Sequence, residues 1–142
     1  MQIQAYLFFD GRCEEALNFY RDTLGAKVEM MMRFKDNPDP PTEADASNGC
    51  AQPPGSEEKI MHASFRIGDS VLMASDGNCG GHPAFQGFAL TVEAHDDDHA
   101  RQLFGALSAG GQIQMPLQKT FFSSSFGMVA DRFGVGWMVI AA

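Results

Sequence analysis

The sequence predicts an α+β fold built twice from the same β-α-β-β-β unit. Three observations carry this. Two segments with helical periodicity lie about half the chain apart, each just after a short apolar strand segment. Each is followed by three further segments of strand character, separated by glycine-rich turns. Each unit then has one helix to cover one face of its sheet, which is the arrangement of a layered α+β domain.

The elements follow in order. Ile3 to Phe9 is an apolar, aromatic-rich run closed by Asp10-Gly11, and predicts the first strand. Glu14 to Leu24 predicts a helix, because Ala16, Phe19, Tyr20 and Thr23 recur at spacings of three and four and two acids sit in its first turn. Gly25 stops it. Ala26 to Phe34 reads as a strand. Lys35 to Glu58 holds five prolines and few large apolar residues, and predicts an exposed loop too long for a simple connector, either a plain insertion or a lid or partner surface. Lys59–Ile67 and Ser70–Ser75 form a hairpin about Gly68-Asp69, a two-residue turn signal. Residues 77–85, rich in glycine, link a module of residues 1–76 to one of residues 86–142 within a single domain. The second module reads as a strand at Gly87–Glu93, a helix at Asp97–Leu107 with Ala100, Leu103, Phe104 and Leu107 on one face, and strands at Gln112–Phe122, Phe126–Asp131 and Val135–Ile140.

Composition bounds the function. A chain of 142 residues with 44% hydrophobic content builds one core and contains no apolar run of spanning length. Ten basic and eighteen acidic residues give a net charge of −8, which repels nucleic acid and anionic membranes. The three cysteines, Cys13, Cys50 and Cys79, are odd in number and widely spaced, so a disulfide framework is not expected and a reducing compartment is. With no basic-then-apolar leader at the start, the expected location is the cytoplasm.

Several groups invite a chemical reading. His62 lies mid-strand between Met61 and Ala63. It is either a hydrogen-bonded, partly buried histidine or a cavity-facing acid, base or donor, and is the candidate catalytic residue. His95-Asp96-Asp97-Asp98-His99 looks like a metal cluster but falls where aspartates cap a helix. Cys79-Gly80-Gly81-His82 has a zinc-like gap without the second pair that a structural site needs. Cys13 precedes a helix, where a thiol pKa can fall, but lacks a base partner in sequence. Ser123-Ser124-Ser125 can offer hydroxyls to a polar ligand and lacks a nucleophile elbow.

The motifs Tyr6-Leu7-Phe8-Phe9-Asp10-Gly11-Arg12-Cys13-Glu14-Glu15-Ala16, Met61-His62-Ala63, Gly68 through Asp76 and Phe126-Gly127 through Trp137-Met138 resemble the vicinal oxygen chelate superfamily of glyoxalases, extradiol dioxygenases and bleomycin-resistance proteins, within it the PhnB-like branch. The resemblance implies two βαβββ modules forming a curved, mostly antiparallel sheet around a cavity, and commonly a homodimer. It departs from the branch at Phe122-Ser123-Ser124-Ser125, where a Trp-Gly-Asp-like tripeptide is usual. It also implies four metal positions, which fall on Ala5, Met73, Gly87 and Met138. None has a side chain suited to a divalent metal, so no metal and no cofactor is expected. Labels of this branch as ubiquinone-precursor methyltransferases find no support in the sequence, which lacks a glycine-rich strand-to-helix turn in a parallel sheet.

The expected function is therefore metal-independent binding of a small apolar or planar molecule, in a cavity lined by Ala5, Leu7, Met73, Gly87, Met128 and Met138 with His62 and Ser125 as polar contacts. Two alternatives stay open: a lyase, isomerase or oxygenase with a relocated site around His62, and a structural or regulatory dimer using the acidic loop 35–58.

Overall fold

The computed structural model describes residues 1–36, 57–77 and 84–141. Most of the proline-rich loop, with Cys50, and the Cys79-Gly80-Gly81-His82 segment lie outside the described residues. The chain divides into two units, Met1–Pro83 and Ala84–Ala142.

The first unit runs β1 (Tyr6–Phe8), α1 (Cys13–Leu24), β2 (Lys27–Arg33), a single 3-10 turn at Phe34–Asp36, β3 (Ile60–Ile67) and β4 (Ser70–Ser75). Its sheet has the order β1-β4-β3-β2, with β1 parallel to β4 and the other pairs antiparallel. Two acids in the first turn of α1 favour its start. Gly25 ends it at φ 69°, where its own N–H bonds Arg21 O and that of Ala26 bonds Tyr20 O. Only glycine takes that left-handed backbone cheaply. The hairpin forms about Gly68-Asp69 as the dipeptide predicts, with Ile67 paired to Ser70.

The core of this unit lies between α1 and one face of the sheet. Cys13, Ala16, Leu17 and Tyr20 of the helix are buried, as are Leu7, Ala63, Phe65, Leu72 and Ala74 of the strands. The Tyr20 and Phe65 rings stack with centroids 6.1 Å apart. Because successive strand residues point to opposite faces, Tyr6, Phe8, His62, Ser64 and Met73 belong to the face away from the helix.

The second unit repeats the plan with β5 (Leu90–Ala94), α2 (Asp97–Ser108), β6 (Gln112–Gln118), β7 (Ser125–Ala130) and β8 (Gly136–Ala141), in the order β5-β8-β7-β6 with β5 parallel to β8. Trp137, Val139 and Ala141 of β8 are buried beneath α2 with Leu103, Phe104 and Leu107. Gly127 on β7 allows this approach: a Cβ there would stand 2.7 Å from the Phe104 ring and 3.1 Å from Leu117 Cα.

Three strand boundaries differ from the sequence expectation by more than one residue. The first strand is Tyr6–Phe8 rather than Ile3–Phe9, since pairing with β4 covers only those residues and Ile3 is exposed. The fifth begins at Leu90 rather than Gly87, because Gly87 has φ 82° and cannot continue an extended strand. The sixth ends at Gln118, where Thr120 turns the chain: its N–H bonds Ser123 O at 2.9 Å and its hydroxyl accepts from Ser123 N at 3.1 Å. That turn presents Phe121 fully to solvent. The outer strands β2 and β6 each carry two register irregularities against their neighbours.

Candidate functional site

The helix-distal face of the first sheet gathers an aromatic and sulfur-bearing surface around one polar pair. Parallel pairing puts Tyr6 beside Met73, and Met73 in turn pairs with Ser64. The Tyr6 and Phe8 rings lie 4.8 Å apart, and Tyr6 and His62 5.5 Å apart. Tyr6 Oη and His62 Nδ1 are hydrogen-bonded at 2.9 Å, both side chains half-buried. On the far side of His62 stands Met32, its partner on β2, with Met30 opposite Ser64. The pair spans 56 residues of sequence, which is why no local spacing announced Tyr6.

On the second unit the corresponding face carries Met138, paired with Met128 on one side and Thr91 on the other. The Thr91 hydroxyl lies 3.7 Å from Met138 Sδ. Phe126 stands edge-on to Phe122, with ring centroids 5.0 Å apart.

The expected lining residues divide accordingly. Met73 and His62 share the helix-distal face of the first unit, and Met128 and Met138 that of the second. Ala5 precedes β1 and uses its backbone carbonyl to accept from Met73 N at 3.0 Å. The strand register sets Tyr6, not Ala5, beside Met73. Leu7 is 1% exposed and belongs to the core beneath α1, since it alternates with Tyr6 and Phe8. Gly87 lies before β5, and the β5 residue beside Met138 is Thr91. Ser125 faces α2, where its hydroxyl donates to Asp97 Oδ1 at 2.7 Å.

The serine triplet serves the start of α2, and Ser124 and Ser125 also line a cavity of about 540 Å³ beside that helix with Asp97 and Arg101. Ser124 Oγ also donates to Asp97 Oδ1, at 2.6 Å, and Ser123 Oγ donates to backbone carbonyls. The neighbouring Asp96 caps the helix by accepting from His99 N at 2.8 Å. His99 Nδ1 accepts from His95 N, and the two imidazoles stack at 4.3 Å. The cluster is thus a capped helix start.

The two serine hydroxyls, with Arg101 adding to them, lower the Asp97 pKa below the ordinary value of about 3.9. A carboxylate depressed on folding contributes stability above its unfolded pKa and loses it as pH falls through the folded value. Asp97→Asn should therefore melt below the wild type at pH 7, with the gap closing as pH drops below about 4. A gap that stays constant from pH 7 to pH 3 in thermal melts contradicts this.

Two buried acids, neither singled out from the sequence as a functional group, hold the scaffold. Asp76 ends β4. Its Oδ1 accepts from Gly11 N and Cys13 N at 2.8 and 2.9 Å, and its Oδ2 from Ile60 N at 2.8 Å. Asp131 accepts from Phe133 N and Val135 N at Oδ1 and from the Trp137 indole at Oδ2. Burial pushes the Cys13 thiol up, with the Asp76 and Glu14 charges adding to the shift. A raised thiol is the opposite of the activation that a helix start can give, so Cys13 is a packing residue.

Both sheets, in the order 1-4-3-2 and its repeat with a parallel outer pair, define a glyoxalase-like fold. At the level of fold alone, the chain matches a glyoxalase-related enzyme from Fulvimarina pelagi with a TM-score of 0.60 at 18% identity, over 100% of this chain and 89% of that one. The chain belongs to the family described as 3-demethylubiquinone-9 3-methyltransferase, which matches residues 1–140. Protein YjdN of Escherichia coli K12 is 34% identical over 98% of this chain and 94% of its own length. Protein PA1353 from Pseudomonas aeruginosa superposes with a TM-score of 0.82 at 39% identity, covering 99% of this chain and 97% of that one. The PhnB protein from Bacillus cereus gives 0.79 at 27% identity, over 100% of both chains.

The groups such relationships imply can be tested against the residues present. A methyl donor of the S-adenosylmethionine kind takes a glycine-rich turn between a parallel strand and a helix. Here the N–H groups of Gly11 and Cys13 at the β1–α1 turn are already bonded to the Asp76 carboxylate. The site does not fit that cofactor. For a divalent metal, the cross-strand pairs Tyr6–Met73 and Thr91–Met138 offer thioethers and neutral hydroxyls, which do not fit a hard or borderline ion. Among the described residues, no three of His, Cys, Asp and Glu gather as a metal group, and no helix is long and apolar enough to cross a membrane.

Proposed function

We propose that this protein binds a small apolar or planar molecule, without a divalent metal, on the helix-distal face of its first sheet. The observation that carries the reading is the clustering there of Tyr6, Phe8 and Met73 around the hydrogen-bonded Tyr6–His62 pair. Aromatic rings offer a large contact area at low conformational cost, thioethers adapt to the shape of an apolar ligand, and a few polar groups orient it. Met128 and Met138 give the second sheet a similar sulfur-rich face.

An enzyme acting at His62 is the second reading, favoured by the 2.9 Å bond that ties its imidazole to a phenol. The oligomeric and cellular expectations, a homodimer in the cytoplasm, accompany the first reading. They are supported by the single helix on each sheet and by three widely spaced cysteines.

A thermal-shift screen against a metabolite library and a divalent metal series, with elemental analysis and sedimentation of the same sample, tests these together. The expected result is a metal-free dimer stabilised by at least one planar metabolite, with the shift reduced in His62→Ala and Met73→Ala. Stoichiometric divalent metal, or a ligand whose stabilisation ignores both substitutions, overturns the reading. A turnover abolished by His62→Ala with the fold intact establishes the enzyme instead.

A further inference from the structure

The polar pair on this face has a direction, and the direction selects a ligand. Tyr6 Oη and His62 Nδ1 lie 2.9 Å apart. A neutral imidazole has one N–H and one lone pair, so the pair can be bonded in only two ways. A phenol is a good donor and a weak acceptor, while an imidazole nitrogen lone pair is a strong acceptor. The stronger arrangement has the Tyr6 hydroxyl donating to Nδ1. The proton on the ring then resides on Nε2, and the imidazole's remaining polar function is that of a donor.

The surroundings refine the class. Tyr6 and Phe8 form a paired ring surface with centroids 4.8 Å apart, and Met73 and Met32 flank the pair on neighbouring strands. These are flat and polarisable partners. Arg66, on the same strand as His62, is engaged with Glu29 at 3.2 Å. With a chain charge of −8, an anionic ligand meets net repulsion. The complementary molecule is flat, uncharged and carries a hydrogen-bond acceptor.

Building on the binding reading above, we infer that Tyr6 fixes His62 as an Nε2–H donor, and that the ligand class is a neutral planar carbonyl compound whose oxygen accepts that hydrogen bond. Tyr6 is thereby a positioning residue and His62 the specificity-determining one. Neither property is visible from His62 in its own strand segment, because the partner that sets both lies 56 residues away.

The test uses two probes of nearly equal size, 2-acetylnaphthalene and 2-ethylnaphthalene, which differ by the carbonyl oxygen. Full-length protein carrying ¹⁵N-histidine and methyl-labelled methionine is titrated with each. The free protein should show His62 as the Nε2–H tautomer. Both probes should shift the Met73 methyl signal, and the ketone should bind about fivefold more tightly, the advantage of one net hydrogen bond. In His62→Phe the two affinities should become equal, and in Tyr6→Phe the ketone's advantage should shrink as the Nε2–H tautomer ceases to be fixed. An Nδ1–H tautomer, or equal affinities in the wild type, overturns the inference and leaves the binding face standing. If neither probe moves the Met73 methyl, the binding reading falls and the inference with it.

Discussion

Replacing Asp76 with alanine should cost about 3–5 kcal/mol of stability, the largest effect expected of any single substitution considered. The carboxylate is 5% exposed and accepts three backbone N–H groups from two places far apart in sequence, the start of α1 and the start of β3. Removing it strands the Cys13 and Ile60 donors inside the protein, each at a cost of about 1–3 kcal/mol before relaxation, while Gly11 N–H can turn to water. It also removes a negative charge from the N-terminus of α1, where such charge is favourable. Urea unfolding followed by circular dichroism should show the midpoint moving down by about 2 M, for a urea slope of about 2 kcal/mol per M. Asp76→Asn should fall between the two, since an amide oxygen can keep the pair from Gly11 and Cys13 while its NH2 group faces Ile60 N–H. A midpoint within about 0.3 M of wild type for Asp76→Ala contradicts the argument.

The second large effect is expected at Asp131. Its Oδ1 accepts from Phe133 N at 2.9 Å and Val135 N at 3.1 Å, closing the turn before β8, while Oδ2 accepts from Trp137 Nε1 at 2.9 Å. Asp131→Asn is nearly isosteric but sets an N–H donor against the indole donor. The expected cost is about 2–3 kcal/mol. Trp137 is the chain's one tryptophan and is 3% exposed, so intrinsic fluorescence reports this site alone. The variant should show an altered native emission as well as a lower unfolding midpoint. Unchanged emission together with an unchanged midpoint contradicts the role assigned to the bond.

These two acids also show which parts of the molecule could be read in advance. Asp131 had a local signal: an aspartate followed by turn residues bonds N–H groups two and four positions on, the habit of an Asx turn. Asp76 had none, because its partners Gly11 and Cys13 lie 65 and 63 residues upstream and meet it only once β1 pairs with β4. The same distinction runs through the fold. Both helices and the Gly68-Asp69 hairpin follow from spacing, capping and turn chemistry, all local. Facing does not. Leu7, expected on the ligand surface, belongs to the buried helix side of its sheet, and Ser125 also faces the helix, where it lines a cavity beside α2, because a one-residue difference in register exchanges the faces. Gly87, expected to open the fifth strand, stands outside it because its φ of 82° is a backbone conformation that sequence periodicity does not reveal. His62 and Met73 share the helix-distal face, while Tyr6, which completes the polar pair, is joined to them only by the pairing of β1 with β4.

The irregular outer strands have a consequence for behaviour at high concentration. β2 departs from regular pairing between Val28 and Met30 and again between Met32 and Arg33, and β6 does so on either side of Met115. An unbroken outer strand is a template on which another molecule can add its own strand, the first step toward aggregation. Here the pairing of β2 and of β6 is interrupted twice each, Pro116 removes a further donor from β6, and the opposite outer strand of the first sheet, β1, is only three residues long. A methionine-rich strand such as β2, with Met30 and Met31 each 40% exposed, would otherwise be a hazard. The bulges let the protein keep those soft side chains accessible while denying neighbouring molecules a continuous edge to grow from.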